Sequence, residues 1–406
     1  MSASLGRVII ATQTYHPTAN GQGAFTVQLA EGLARAGLEV YVLTLSGHPN
    51  DELREQNGVH VCWLSSITIG IIDDHLILPL PGGEGTGRLL EAIEPEIVHI
   101  QDHYVLGAKV AHAALRRKVP TLGTNHFLPE NMIPYFPVLA NYDASVRFLR
   151  QSLWGQVLET YNQLDYVVAP TTTAAAILRR NGLTAPLGVI SNGVDVQRFS
   201  LLPHLDRGEV RRRFGLDPQA VLFLYVGRVD REKRIDTLVR AASRLGQTDI
   251  QIGIAGRGNY AKRLKRLAER LGLGDRVVFT GYVPGKDLPP LLNSADVFVM
   301  PSPVELQSIA TLEAMGTGLP VLAARAGALP EIVREDQNGC LFEPGDAVQA
   351  AARMKEMASR PEALLEMGRA SRRLVEQHGL PNTIRSYLEL YQRLNSTVRL
   401  EERVRL

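Results

Sequence analysis

"VFVMPSPVELQSIATLEAMGTGLPVLAA", residues 297–324, is the stretch on which the fold of this chain turns. An apolar run over 296–302, a loop, a segment of helical periodicity over 308–317 and a second apolar run over 320–324 read as strand, helix and strand. Short runs rich in Val, Leu and Phe, with no polar alternation, are strands covered on both faces, and strands linked through helices pair in parallel. Only two of the 28 residues are charged, Glu305 and Glu313. Burying an unpaired carboxylate costs several kcal/mol. The two glutamates therefore either face a ligand or meet arginines from elsewhere in the chain.

The same alternation extends in both directions. Upstream, strands are expected at 220–228, 250–256 and 276–283, with helices at 235–245, 260–272 and 286–293. The first half opens with Val8-Ile9-Ile10-Ala11 and the Gly-rich "NGQG" at 20–23. A helix then runs to Ala36, Gly37 caps it, and Val40–Leu45 is a strand. Further strands are expected at 97–101, 119–126, 166–170 and 187–193, with helices at 107–117 and 146–164. This predicts two doubly wound α/β domains, 1–195 and 196–382, with "RFSLLPHLDRGEV" (198–210) as linker. The tail 383–406 reads as a helix that either packs back on the first domain or is a solvated cap. Ligands of parallel sheets bind at the carboxyl ends of the strands, so the expected site is a cleft between the two domains.

Composition narrows the function. The chain has 406 residues, 45 % hydrophobic and 21 % charged, a soluble globular profile with room for two or three domains. A net charge of +2 argues against a nucleic-acid binder. Residues 1–195 carry 12 Lys and Arg against 17 Asp and Glu, a net of −5, and the remainder carries 32 against 25, a net of +7. The second half is thus the better place to hold an anion. Cys62 and Cys340 match neither a disulfide framework nor a metal spacing. With no signal sequence and no apolar run long enough to span a bilayer, the expected location is the cytoplasm.

The chemistry concentrates at strand ends. Gly227 lets the backbone turn out of its strand, and Arg228 and Lys233 follow ahead of a helix, a fitting site for a phosphate or diphosphate. The alternative is a solvated turn in which Asp230 and Glu232 pair with Lys233 and Arg234. Eight residues of helix between Glu305 and Glu313 would rise about 12 Å. That exceeds the roughly 5–9.5 Å of a glycosidase carboxylate pair. It suits the two sugars of a nucleoside diphosphate sugar, Glu305 taking the hexose and Glu313 the ribose. No Asp-x-Asp occurs, the pair Asp73-Asp74 being adjacent only.

"PSPVELQSIATLEAMGTGLPVLAARAGALPEIV" (301–333), "YVGRVDREK" (225–233), "ISNGVDVQRF" (190–199) and "FTGYVPGKDLPPLLNSADVFVMPS" (279–302) together resemble the landmarks of retaining glycosyltransferase family 4. The resemblance implies the GT-B fold, two Rossmann-like domains facing across a cleft, with the donor on the second. It implies that Arg228 and Lys233 hold the donor diphosphate, that Glu305 contacts the transferred hexose and Glu313 the ribose, and that Tyr282 and Val283 meet the base through their backbone. Metal-dependent glycosyltransferases of the other major fold hold the diphosphate through Asp-x-Asp; with Arg228 and Lys233 in place of that cation, no essential divalent metal or other cofactor is expected. Gln307, Ser308 and Ile309 fall in the donor-binding segment, although Leu306-Gln307-Ser308 replaces a common Phe-Gly after the first glutamate and leaves the hexose open. Gly21 and Gly23 resemble the family's Gly-rich loop, and His126 in "TNHF" a histidine near the reacting sugar; His16 and Glu130 are weaker candidates.

"GTNHFLPENM" and "ELQSIATLEAM" resemble lipid-directed members, which glycosylate diacylglycerol-type acceptors. Lys109, Arg116, Arg117 and Lys118 lie among apolar residues, as do Arg147 and Arg150. Such segments suit either an anionic membrane surface, here the inner face of the cell membrane, or ordinary surface helices. The expected partners are a nucleotide sugar and a lipid acceptor, with a soluble sugar or polysaccharide acceptor, or a sugar-nucleotide epimerase, as alternatives.

Overall fold

The computed structural model describes residues 6–15, 21–68, 77–79, 85–133 and 143–404, of which 77–79 and 398–404 are described by their backbone alone. His16, Asn20 and the Asp73-Asp74 pair lie outside these residues. The chain divides into two compact units, Met1–Asn192 with Pro381–Leu406, and Gly193–Leu380.

The first unit runs β1 (Arg7–Ala11), α1 (Gly21–Arg35), β2 (Glu39–Leu45), β3 (Glu52–Gln56), β4 (Val59–Leu64), β5 (Ser66–Thr68), β6 (Ile77–Pro79), α2 (Gly85–Ile93), β7 (Ile97–Ile100), α3 (Val105–Arg116), β8 (Thr121–Thr124), α4 (Asp143–Tyr161), β9 (Tyr166–Ala169), α5 (Thr172–Arg180) and β10 (Leu187–Val189). Its main sheet has the order β10-β9-β8-β7-β1-β2-β4-β3, parallel except for β3. β1 and β7 are almost wholly buried, as expected of strands covered on both faces. The β3–β4 hairpin turns at Asn57-Gly58, both with positive φ (52° and 79°), the geometry that Asn-Gly accepts most readily.

The second unit runs α6 (Arg207–Arg213), β11 (Val221–Val226), α7 (Asp236–Ala242), β12 (Ile250–Ala255), α8 (Ala261–Arg270), β13 (Val277–Gly281), α9 (Leu288–Ser294), β14 (Val297–Met300), α10 (Ile309–Gly316), β15 (Val321–Ala324), α11 (Leu329–Ile332), β16 (Gly339–Phe342), α12 (Ala347–Ala358) and α13 (Pro361–Val375). Its six strands are all parallel in the order β13-β12-β11-β14-β15-β16. The direction of winding reverses between β11 and β14, the switch point where open α/β sheets leave a crevice at their carboxyl ends.

The segment 198–210 is not a free linker. It contains the start of α6, whose Arg211 is buried and bonds the Ser294 carbonyl and Asp296, with Arg207 on the same carboxylate. Asp296 also accepts from the Leu222 backbone, so a cluster of charge at the amino ends of β11 and β14 ties α6 to the sheet. A final helix, α14 (Leu380–Val404), packs on the first unit through Ile384, Tyr387, Leu390 and Tyr391. Among the described residues no helix is long and apolar enough to cross a membrane.

Candidate active site

In the second unit, the side chains singled out by the sequence follow neighbouring strand ends. Gly227 leaves β11 with φ 152°, its N–H donating to the Ala255 carbonyl of β12 at 3.0 Å. A Cβ on Gly256, where φ is 145°, would stand 1.8 Å from the Gly227 carbonyl oxygen, so the ends of β11 and β12 close together only because Gly256 is glycine. The Tyr225 hydroxyl donates to the Arg228 carbonyl at 2.7 Å and pins the loop beyond.

Arg228 is held from below by two buried acids, Asp230 at 3.0 Å and Glu232 at 2.8 Å, while 44 % of its own side chain stays exposed. Burial raises the Glu232 carboxyl above its ordinary range, against the pull of Arg228. Lys233 occupies a single 3-10 turn, Arg231–Lys233, and Arg234 closes that turn in the left-handed region (φ 52°). The local pairing weighed from sequence, with Lys233 and Arg234 taking Asp230 and Glu232, is therefore replaced. Arg228 takes both acids, and the Lys233 ammonium donates instead to Glu305 Oε1 at 2.7 Å. Residues from either side of the switch point thus touch. Asp230, Glu232 and Glu305 thus hold these cations ahead of the seven-residue α7.

Glu305 is buried (8 % exposed) in the loop after β14. Its backbone oxygen accepts from Ala328 N at 2.9 Å, and a Cβ on Gly327 (φ 55°) would stand 2.6 Å from that oxygen. The turn after β15 therefore clasps the Glu305 backbone, a support that lay unremarked within the 301–333 stretch. Gln307 and Ser308 are buried too, and Ser308 caps α10 by accepting from Thr311 N at 3.3 Å. Ile309 opens α10, half-buried. The helix begins only there, so the expected eight-residue helical rise between Glu305 and Glu313 is corrected: just the last part of that interval is helical. Glu313 sits in α10, its carboxyl raised by burial to about 7, with Arg198 pulling the other way. Tyr282 is exposed and lies under the Arg257 guanidinium, 4.9 Å from its ring centre, while Val283 packs on the core. Arg257 follows β12 as Arg228 follows β11; the sequence reading passed it over, although its place after an apolar run gave the same signal.

In the first unit, Gly21 and Gly23 belong to the first turn of α1, not to a loop, and Gly23 is buried. Gln22 between them donates to Asp102 Oδ2 at 3.1 Å. Asp102 follows β7, also accepts from Gln13 N at 2.7 Å, and is raised by burial to about 6, with these hydrogen bonds opposing. Its place after the apolar run of β7 offers the same strand-end signal as that of Arg257. His126, after β8, is half-buried, with its ring 5.0 Å from that of Phe25. Burial lowers it to about 3, so it is neutral near pH 7, and its Nε2 lies 2.9 Å from Gln101 Oε1. Glu130 pairs with Arg150 at 3.5 Å.

Two family models match the chain, "Glycosyltransferase Family 4" over residues 19–198 and "Glycosyl transferases group 1" over 206–374. A D-inositol 3-phosphate glycosyltransferase of Mycobacterium sp. (strain KMS) is 31 % identical over 363 residues, covering 86 % of this chain and 80 % of the relative. The sulfoquinovosyl transferase SQD2 of Arabidopsis thaliana is 30 % identical over 70 % of this chain, which spans about half of that relative's length (54 %). Among solved structures, HepE of Anabaena in complex with UDP and glucose aligns with a TM-score of 0.75 at 17 % identity, over 94 % of this chain and 98 % of that one. Two Rossmann-like units, charged side chains at the carboxyl ends of the second sheet and these matches meet in one conclusion: the chain is a glycosyltransferase of family 4, with the GT-B fold.

Proposed function

We propose that this enzyme is a retaining, metal-independent hexosyltransferase that moves glucose or mannose from a UDP or GDP sugar to a membrane lipid such as diacylglycerol or a glycolipid. The observation that carries the reading is the contact of Lys233 with Glu305 beside an exposed Arg228. One buried carboxylate and two cations at a switch point match a sugar hydroxyl array joined to a diphosphate. In this reading Arg228 and Lys233 offset the charge that grows on the leaving diphosphate, Glu305 meets the hexose, Glu313 the ribose, and the backbone at Tyr282 and Val283 the base. Gln307, Ser308 and Ile309 offer the amino end of α10, Gly21 and Gly23 open that of α1, and neutral His126 takes a hydrogen bond from the reacting sugar. Same-face attack, with the leaving phosphate oxygen taking the acceptor's proton, retains configuration without an enzyme nucleophile.

The lipid acceptor rests on the surface of the first unit. α3 presents Val105, Lys109, His112 and Arg116 to solvent, and α4 presents Phe148, 74 % exposed, between Arg147 and Arg150. Cations beside exposed apolar groups suit an anionic bilayer. A soluble acceptor is the second reading, favoured by the relative named for D-inositol 3-phosphate.

The test is a panel of nucleotide sugars incubated with and without diacylglycerol vesicles, products identified by mass and anomeric configuration. Transfer to lipid with retention, undiminished by EDTA, is the expected result. Inverted product, or activity that EDTA abolishes and Mg²⁺ restores, overturns the mechanism; transfer only to soluble acceptors moves the assignment to the second reading.

A further inference from the structure

β11, β12 and β13 are neighbours in the second sheet, and the loops after them carry Arg228, Arg257 and Tyr282. Arg228 has Asp230 and Glu232 as counterions. Arg257 has none: among the described residues no hydrogen bond or ion pair engages its guanidinium, which lies over the Tyr282 ring, 4.9 Å from the ring centre. Both side chains are exposed, Tyr282 by 42 %. The ring thus covers one side of a planar cation and leaves the rest of it to solvent.

The loop that carries Arg257 is fixed along its length. Gly256 N donates to the Gly281 carbonyl at 2.8 Å, which joins the end of β12 to the residue before Tyr282. The Arg257 carbonyl accepts from Val229 N at 2.8 Å. A Cβ on Gly258 would stand 2.4 Å from the Val229 carbonyl carbon and oxygen, so the loop closes on Val229 only as glycine. Asn259 N donates to Asp230 Oδ1 at 3.0 Å, while Asp230 Oδ2 lies 3.0 Å from the Arg228 guanidinium. One buried carboxylate therefore sets both the head group of Arg228 and the backbone beside Arg257. A solvated surface arginine needs no such mooring; a cation that meets a ligand does.

We propose that Arg257, backed by Tyr282, is a binding residue for the base of the donor nucleotide, which stacks on the guanidinium. The inference deepens the proposed function and rests on its placing of the base at Tyr282 and of the diphosphate at Arg228 and Lys233. Every base presents a π-face, and a guanidinium takes it much as an aromatic ring does, so uracil and guanine are both accepted. A contact confined to the base is the same in the ground state and the transition state, and therefore acts on KM and not on kcat.

Calorimetry of the full chain with UDP, GDP and inorganic pyrophosphate tests this. Arg257→Ala is expected to weaken UDP and GDP by about tenfold to a hundredfold and to leave pyrophosphate unchanged. Arg257→Lys keeps the charge, loses the plane and weakens both nucleotides nearly as much. Tyr282→Phe keeps the ring and changes nothing. In turnover the donor KM of Arg257→Ala rises by a similar factor at unchanged kcat, and its Tm stays that of the wild type. Arg228→Ala, the control, weakens all three ligands. Pyrophosphate weakened by Arg257→Ala as much as UDP would make Arg257 a phosphate contact and overturn the inference. Unchanged nucleotide binding in Arg257→Ala, with all three ligands weakened in Arg228→Ala, overturns the inference and leaves the donor site standing. No change in either variant removes the donor site of the proposed function, and the inference with it.

Discussion

Lys233 and Glu305 stand 72 residues apart in sequence, and their charged atoms meet at 2.7 Å with side chains only 19 % and 10 % exposed. Lys233→Met leaves the Glu305 carboxylate without that partner in a largely dry site, and a cost of about 1–3 kcal/mol follows. Adding Glu305→Gln removes the stranded charge. The double variant therefore regains most of the lost Tm, yet on the proposed role of Lys233 its turnover stays down by about a hundredfold or more, because transition-state charge has lost its counterion. Turnover that recovers together with Tm would show the pair to be structural only. Glu313 supplies a pH test. Its folded carboxyl titrates near 7 against an ordinary 4.5, so between these values the folded protein keeps a proton that the unfolded chain releases. This group's contribution to stability is full below pH 4.5 and is lost as pH rises through 7. Glu313→Gln flattens the Tm profile across that window and raises Tm above it; an unchanged slope would refute the shift. Both glutamates were legible as anomalies in an apolar stretch. Their partners were not. Nothing local joins Lys233 to residue 305, and the turn that hands Arg228 both Asp230 and Glu232 is set by Gly256 and Tyr225 packing against it.

Helices and strands were legible wherever burial on both faces made the apolar run continuous, as in β11, β12 and β14, which is why the sequence specified the fold class. The β3–β4 hairpin was missed although Asn57-Gly58 announced it, since β3 is wholly exposed and shows no apolar pattern. A C-terminal helix packed back on the first domain was one of two readings of the tail, but its close contact with α1 left no trace. Gly32 lies inside α1, where alanine would ordinarily be worth about 1 kcal/mol more. Here a Cβ would stand 2.5 Å from Ile384 Cδ1 and 2.7 Å from its Cγ1. Gly32→Ala therefore destabilises, by about 1–2 kcal/mol. In an Ile384→Ala background the obstruction is gone and the same substitution stabilises. Chemical denaturation of the four proteins measures the cycle, and a Gly32→Ala effect of one sign in both backgrounds would refute the contact.

At the scale of the whole molecule, the two units differ in how the chain supplies them. The second, Gly193–Leu380, is continuous and closes its own six-stranded sheet and core. The first is built from two separate segments, and its core draws Ile384, Tyr387, Leu390 and Tyr391 from the end of the chain. Without α14, the hydroxyl partners of His99 and Thr124 vanish from a fully buried site, and two tyrosine rings leave a large cavity. Each lost ring costs about 3–5 kcal/mol, so the two together are comparable with the entire stability of an ordinary domain. Expression of residues 193–380 alone is thus expected to give a cooperatively melting protein, and one that still binds UDP or GDP on the proposed reading, because Arg228, Lys233, Glu305 and Glu313, the residues proposed to hold the donor, all lie within it. Residues 1–192 alone are expected to show no cooperative melt, and to gain one when a 381–404 peptide is added in trans. Calorimetry of the two fragments, with and without peptide, decides the matter: a 1–192 fragment that melts cooperatively by itself would mean that the C-terminal helix decorates the first unit and does not complete it.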